Sequence, residues 1–228
     1  MKTYLEPNDI DLMERVASCL RDRLLVRLLF RLGCRVSEAL SLKPADIDFE
    51  RSTVTIIHLK RRIRLSCPKC GASLGRRHQF CPQCGEEVNE ALKRNLEKRR
   101  MRTLPIDKHT LEMLAFYIGR NLSTYGSGSA PIFNLNRHRA WQIVRNCAKG
   151  AGIPDLINPE TGRISGVSPH RLRDAFTVHA MKLDDSTDAL RLLQEHLGHA
   201  SFNTTARYRK VAGDEHRKWY DGLWNETP

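Results

Sequence analysis

Several features that would direct a protein to a membrane or out of the cell are missing from this 228-residue sequence. The N-terminal residues MKTYLEPNDIDLMERV contain no basic flank followed by an apolar run of signal-peptide length. No segment approaches the roughly 18 uninterrupted apolar residues that a membrane-spanning helix needs. The sequence also has no internal repeat and no convincing carboxylate cluster for catalytic metal ions. These absences predict a cytoplasmic protein with no membrane span and no two-metal active site.

Acidic residues are scarce relative to basic ones. Lys and Arg total 38 against 26 Asp and Glu, which gives a net charge of +12. Residues 60–102 alone contain 13 basic and 4 acidic residues, so nine of the twelve net charges lie in one stretch. A protein that is merely basic has no reason to concentrate its charge in this way. The clustering therefore favours a nucleic acid as the partner.

The hydrophobic pattern predicts an α+β fold that is mainly α-helical, with a small antiparallel β-sheet. Apolar residues recur at helical spacing from Asp9 to Leu32, where we expect two helices that meet near Arg21 and Asp22. The β-branched residues of Thr53–Leu59 predict a strand, and Met101–Ile106 is its expected partner. Further helices are predicted over residues 36–42, 108–122, 137–149, 170–182, 187–197, 204–208 and 214–224.

Four of the seven cysteines form two CxxC pairs with ten residues between them. The segments CPKCG and CPQCG contain Cys67, Cys70, Cys81 and Cys84. This spacing is typical of a four-cysteine tetrahedral zinc site, although thiolates also suit iron. Two disulfides are disfavoured in a reducing cytosol. We expect a zinc ribbon over residues 66–89, inserted at the tip of the β-hairpin, and we expect the other cysteines, Cys19, Cys34 and Cys147, to be buried.

The most informative pattern lies in the last quarter of the chain, in the segments SPHRLRDAF and LLQEHLGHASFNTTARY. His170 and Arg173 are three residues apart, which on a helix places an imidazole and a guanidinium on one face. Arginine suits phosphate binding because its planar fork stays cationic and can hold two phosphate oxygens. His199 follows a glycine, and Tyr208 comes nine residues later. These segments resemble the C-terminal catalytic half of the tyrosine recombinase (phage integrase) family.

The resemblance implies a set of catalytic residues. Tyr208 is the implied nucleophile, while His170, Arg173 and His199 are implied to bind the phosphate it attacks. The segment LLFRLGCRVSEALSL extends the resemblance, with Arg35 as the second arginine clamp and Glu38 in the family's acidic position. His196 is an extra histidine near this site, and Asp174 departs from the basic or polar residue that many relatives carry.

The resemblance also assigns a general acid. Lys60, at the end of the predicted strand, matches the hairpin lysine that protonates the leaving oxygen, and Arg102 matches the returning strand. Neighbouring cations would lower the pKa of this lysine toward the working pH, which general acid catalysis requires. A generic phosphate-contacting lysine is the alternative for Lys60.

A site-specific recombinase (integrase) that cuts and rejoins double-stranded DNA through a 3′-phosphotyrosine is the implied function. The phosphotyrosine conserves bond energy, so neither a nucleotide cofactor nor a catalytic metal is expected. A type IB topoisomerase and a catalytically idle DNA-binding protein are the alternatives. The match to the catalytic domain occupies residues 1–228, which predicts no N-terminal core-binding domain in this chain. The chain is then either a fragment or a naturally minimal enzyme.

The sequence after Tyr208 predicts a second kind of partner. Apolar residues in this tail, among them Trp219, Leu223 and Trp224, are expected to dock on another copy of the chain and form a homo-oligomer on DNA. Packing on their own domain is the alternative. A cytoplasmic protein of this kind would associate with the nucleoid when bound to DNA.

Overall fold

The computed structural model describes residues 2–57, 65–75, 78–88, 101–121, 130–158 and 161–198. These residues form seven α-helices, which are α1 (Pro7–Arg15), α2 (Leu20–Arg31), α3 (Val36–Ser41), α4 (Lys108–Arg120), α5 (Arg137–Gly150), α6 (Pro169–Leu183) and α7 (Thr187–Leu197). The short strands are β1 (Ile47–Asp48), β2 (Thr53–Ile57), β3 (Leu65–Ser66), β4 (Ser73–Leu74), β5 (Met101–Pro105), β6 (Leu156–Ile157) and β7 (Ile164–Ser165). The predicted fold class, mainly helical with small antiparallel sheets, is confirmed. The helices predicted at 204–208 and 214–224 lie outside the described residues.

Helix α2 forms the centre of the main hydrophobic core. Its sequence LLVRLLF is apolar around nearly the whole circumference, and Leu24, Leu25, Leu28 and Leu29 are fully buried. A helix that is hydrophobic on all sides must be covered on all sides. Helices α1, α3, α4, α5 and α6 all pack against it. The C-terminal end of α2 is therefore held by the rest of the domain, and the candidate site begins there.

The position of the first helix junction corrects the expectation from the sequence. Helix α1 ends at Arg15 and α2 begins at Leu20, so Arg21 and Asp22 lie in the first turn of α2 rather than between two helices. Cys19, the residue before α2, has an extended backbone. The Asp22 carboxylate accepts hydrogen bonds from the Ser18 hydroxyl (3.1 Å) and from Arg21 Nε (3.0 Å). An acidic side chain is favourable in a first helical turn because the backbone N–H groups there are unpaired.

The predicted strand pair is present as an antiparallel pairing of β2 and β5, with β1 on the other edge of β2. Val54 pairs with Leu104, and these side chains are buried together with Ile56. Arg102 pairs with Ile56, so the alternation of side chains puts Arg102 on this buried face. The sequence that connects β2 to β5 contains all four CxxC cysteines. Lys60 belongs to this connection and lies outside the described residues.

The last described helices pack on a second, smaller apolar cluster. Met181 of α6 and Leu190, Leu193 and Leu197 of α7 are buried there. The Ser186 hydroxyl caps α7 by accepting the N–H of Ala189 at 3.2 Å. Helix α7 ends at Leu197, and the next residue, Gly198, has a φ of +66°, which favours glycine. None of the helices within the described ranges combines the length and the apolar character needed to cross a bilayer.

Candidate active site

The turn between α2 and α3 places Arg35. Gly33 has a φ of +54°, a conformation in which a Cβ atom would meet the backbone. A Cβ on Gly33 would also overlap the ring of Phe176, at 3.0 Å from Cε1 and Cγ and closer still to Cδ1. Only glycine fits this turn without strain. The chain then reverses through the buried Cys34, so that Arg35 becomes the residue that precedes α3.

Glu38 joins Arg35 to Arg102. Its carboxylate, in a residue only 1% exposed, accepts the backbone N–H of Arg35 at 2.9 Å and Arg35 Nη1 at 3.1 Å. Arg102 Nη2 donates to Oε2 of the same carboxylate at 2.9 Å. Two guanidiniums, one from the start of α3 and one from β5, thus share one buried carboxylate. Charge-assisted hydrogen bonds of this kind are the strong ones in a protein interior.

Arg173 of α6 connects the turn after α2 to the C-terminal end of α7. The residue is 2% exposed, and its Nη1 donates to the Gly33 carbonyl oxygen at 2.6 Å. Its Nη2 donates to the Leu197 carbonyl oxygen at 2.8 Å. Burial, together with the nearby Arg35 and Arg102 cations, lowers the pKa of Arg173 to about 10, against the opposing effect of Glu38. The two arginines predicted as phosphate clamps, Arg35 and Arg173, therefore lie together although they are far apart in sequence.

His196 holds the end of α7 against the end of α2. Its Nε2 lies 3.1 Å from the Leu32 carbonyl oxygen, and because a carbonyl only accepts, Nε2 carries the proton. The imidazole stacks on Phe176 with ring centroids 4.9 Å apart. Burial lowers the pKa of His196, the hydrogen bond to the Leu32 carbonyl opposes this, and the Arg102 and Arg173 cations lower it further. A neutral His196 thus fastens the helix that leads directly to Gly198 and His199.

His170 has a different environment from the arginines. Its side chain, at the start of α6, is 74% exposed, and Nε2 lies 3.7 Å from Asp174 Oδ1. The Asp174 carboxylate is nearly buried and also lies 3.8 Å from Arg171 Nη1. The predicted spacing on one helix is present, yet Arg173 points into the protein while His170 reaches solvent. Asp174, which the sequence marked only as a departure, lies near the imidazole.

The structure thus gathers part of the predicted catalytic set. Arg35 and Arg173 lie together, and His170 is on the same helix as Arg173. His199, Tyr208 and the tail lie outside the described residues, as Lys60 does. Arg102 was predicted only to match the returning strand. A signal for it was available, because Arg102 is two residues before the buried Leu104 and so belongs to the same face of β5.

The four CxxC cysteines form a second candidate site. All four Sγ atoms lie within 4.8 Å of one another. The distance is 3.5 Å between the sulfurs of Cys67 and Cys84 and 3.6 Å between those of Cys70 and Cys81. Four sulfurs placed about 2.3 Å from a central zinc ion would be separated by about 3.8 Å. The cluster therefore fits a tetrahedral ion such as zinc.

The backbone around the cluster has the same geometry in both CxxC segments. The N–H of Gly71 donates to the Cys67 carbonyl oxygen, and the N–H of Gly85 donates to that of Cys81, both at 2.9 Å. Both glycines have a positive φ, near +72°. Backbone N–H groups of Cys84 and Gln83 lower the pKa of the Cys81 thiol to about 7, although burial opposes this. Two equivalent turns thus direct their sulfurs to one point.

Of the remaining cysteines, two follow the prediction and one does not. Cys34 and Cys147 are buried, as expected. Cys19 is exposed, because it lies in the turn before α2 at the protein surface. The prediction of burial for Cys19 was therefore wrong.

Comparisons with known proteins agree with this architecture. A model of the phage integrase family matches residues 4–215. Tyrosine recombinase XerD of Mycobacterium tuberculosis is 30% identical over 201 residues, which cover 84% of this chain and 48% of the relative. The chain spans about half the length of the curated relatives it matches.

Solved structures share the fold. The crystal structure of XerA recombinase superposes with a TM-score of 0.64 at 21% identity, covering 100% of this chain and 65% of that chain. The catalytic domain of bacteriophage HP1 integrase superposes with a TM-score of 0.53 at 19% identity, covering 99% of this chain and 96% of that chain.

Proposed function

Because the chain belongs to the phage integrase family, we propose that it is the catalytic domain of a site-specific DNA recombinase. Its substrate is double-stranded DNA, which it cuts and rejoins through a 3′-phosphotyrosine at Tyr208. The observation that carries this proposal is the meeting of Arg35 and Arg173 at the end of α2. Two guanidiniums from distant parts of the chain converge there, and Arg35, the more exposed of the two, can reach a phosphate.

The electrostatics of this cluster support a phosphate ligand. Burial lowers the pKa of Arg173 most, the Arg35 and Arg102 cations lower it further, and Glu38 opposes them. The potential at Arg173 is therefore positive before any DNA is bound. A bound phosphate diester would bring negative charge to this cluster and relieve the repulsion between its cations.

The proposed reaction needs no cofactor. The Tyr208 hydroxyl loses its proton to the solvent as its oxygen attacks the scissile phosphorus, a new P–O bond to tyrosine forms, and the bond to the 5′ oxygen breaks. Lys60 gives its proton to that 5′ oxygen, while His170, His199, Arg35 and Arg173 stabilise the charged phosphate. A 5′-hydroxyl from a second duplex then attacks the phosphotyrosine and releases the enzyme. The bond energy is conserved, so no nucleotide is consumed.

Covalent capture on DNA tests this function. A pool of nicked duplexes with randomised centres would be incubated with the protein, and adducts separated on denaturing gels and sequenced. We expect wild type and Tyr220→Phe, a matched tyrosine control, to form an adduct and Tyr208→Phe to form none. Absence of an adduct from every duplex would refute the enzyme and favour an idle DNA-binding protein. Relaxation of supercoils without exchange between two captured sites would favour a topoisomerase.

We further propose that residues 66–89 form a ribbon with one structural Zn²⁺ bound by Cys67, Cys70, Cys81 and Cys84. The ion stabilises the fold of a segment whose described residues bury very few apolar side chains. Elemental analysis of the purified protein should give one zinc per chain. Cys70→Ser should lose the zinc, and Cys19→Ser, the control at an exposed cysteine outside the cluster, should keep it. Equimolar iron with thiolate absorption bands would contradict the choice of metal.

Assembly on DNA is the remaining part of the proposal. The tail with Trp219, Leu223 and Trp224 would dock on a second copy of the chain, and the bound protein would associate with the nucleoid. Sedimentation of the captured complex should give at least two chains per duplex pair. Trp224→Ala should reduce the complex to single chains per site. If the assembly is unchanged in that variant, the tail packs on its own domain.

A further inference from the structure

We infer that Arg102 is a positioning residue for Arg35, acting through the carboxylate that they share. This inference rests on the proposed recombinase function. Arg102 Nη2 bonds Glu38 Oε2 at 2.9 Å, and the same oxygen accepts the backbone N–H of Arg35. The other oxygen, Oε1, accepts Arg35 Nη1 at 3.1 Å. The carboxylate therefore sets both the backbone and the guanidinium of Arg35, and Arg102 holds the carboxylate.

Burial separates the roles of the two arginines. The Arg102 side chain is 12% exposed and that of Arg35 is 26% exposed, while Glu38 lies behind both at 1%. Arg35 can therefore reach a phosphate on the surface, whereas Arg102 sits deeper on the buried face of β5. A carboxylate paired with Arg35 alone would cancel much of its charge. Sharing that carboxylate with a second cation leaves Arg35 more attractive to an anion.

Arg102 is poorly explained as a purely stabilising residue. Its Nε and Nη1 are buried and have no hydrogen-bond partner among the residues that the structure describes. Buried donors without partners are unfavourable, and native proteins retain few of them. Arg102 also lies close enough to Arg173 and His196 to disfavour their charged forms.

The test compares activity with stability in matched variants. Arg102→Met keeps the length of the side chain and removes the charge and the donors. We expect its rate of covalent capture to fall by about tenfold to 100-fold, the scale of a small displacement of a catalytic group. Its affinity for the uncut duplex should change less than about twofold, and its Tm should fall by less than about 4 °C because Glu38 keeps Arg35 as a partner. Arg51→Met, at a highly exposed arginine next to the same sheet, is the control and should keep the wild-type rate.

A double-mutant cycle with Glu38→Gln tests the route through the carboxylate. If Arg102 acts through Glu38, Arg102→Met should lower the capture rate much less in the Glu38→Gln background than in wild type. Arg102→Lys, which keeps one charged donor, should recover part of the rate. An equal loss of rate in both backgrounds would overturn the inference, as would full activity of Arg102→Met.

Two further outcomes separate this inference from the proposed function. A fall in Tm of more than about 4 °C in Arg102→Met, with a matching loss of DNA affinity, would make Arg102 a structural residue. That result would overturn the inference while leaving the recombinase function intact. A wild-type protein that forms no adduct would instead refute the proposed function and this inference with it.

Discussion

Gly33 is the position where a single methyl group should do the most damage to the candidate site. The residue combines a positive φ with a carbonyl oxygen that accepts Arg173 and a close approach to Phe176. Replacing it with alanine adds one carbon atom and removes no contact. Any effect of Gly33→Ala therefore reports on backbone strain and on packing against the ring.

The expected loss of stability follows from two separate terms. An L-residue in the left-handed region is disfavoured by about 1 to 2 kcal/mol. The added Cβ would overlap the Phe176 ring, and overpacking of this kind typically destabilises by about 1 to 3 kcal/mol. Together these terms predict that the free energy of unfolding falls by about 2 to 5 kcal/mol.

Urea unfolding of wild type, Gly33→Ala, Phe176→Leu and the double variant separates the two terms. In the Phe176→Leu background the ring is absent, so Gly33→Ala should destabilise only by the conformational term of about 1 to 2 kcal/mol. The difference between the backgrounds is a coupling energy of about 1 to 3 kcal/mol. Phe176→Leu alone also loses the stacking on His196, and the cycle removes that contribution from the coupling energy.

The same variant tests the link between the turn and the chemistry. A shift of the Gly33 carbonyl would lengthen its bond to Arg173 and leave a buried donor unpaired. Covalent capture should then slow in Gly33→Ala and recover in part in the double variant. A stability loss below about 1 kcal/mol, or equal losses in both backgrounds, would refute the reasoning from the turn.

Two further predictions concern buried charge. Arg27 Nη1 lies 3.2 and 2.9 Å from the two carboxylate oxygens of the buried Glu14, so Arg27→Met should lower the free energy of unfolding by about 3 to 5 kcal/mol. Glu14→Leu combined with Arg27→Met should recover most of that loss in urea unfolding, and equal stability of the single and double variants would contradict this explanation. Burial lowers the pKa of His196 in the folded protein, so the unfolded chain binds a proton at this residue at a higher pH than the folded chain does. The free energy of unfolding should therefore fall as the pH drops below about 6.5. The free energy of unfolding cannot change by more than about 1.4 kcal/mol per pH unit through this one group. His196→Leu should therefore show a shallower pH dependence of stability than wild type. Identical slopes in the two proteins would mean that other groups cause the acid sensitivity.

Patterns within short segments were sufficient for much of the fold and for the kind of site. Helical spacing predicted α2, α4, α5, α6 and α7 closely. A helix of this kind repeats its apolar residues on the face that it buries, and that repeat is visible in the sequence. The CxxC pairs predicted the cysteine cluster, since a knuckle is formed by adjacent residues. The first helix junction was misplaced because apolar spacing continues across Val16–Cys19 and marks no boundary there.

Only the tertiary structure decided which distant groups meet. The sequence by itself identified Arg35, His170 and Arg173 as candidates, but it could not show that Arg173 donates to the carbonyl of Gly33, 140 residues away. Nor could it show that Arg102 reaches Glu38, which depends on the register of β5 against β2 and on how the sheet packs on α3. The physical reason is that periodicity and motif spacing encode the surface each segment will bury. The partner on the other side of that surface is chosen by packing the whole chain.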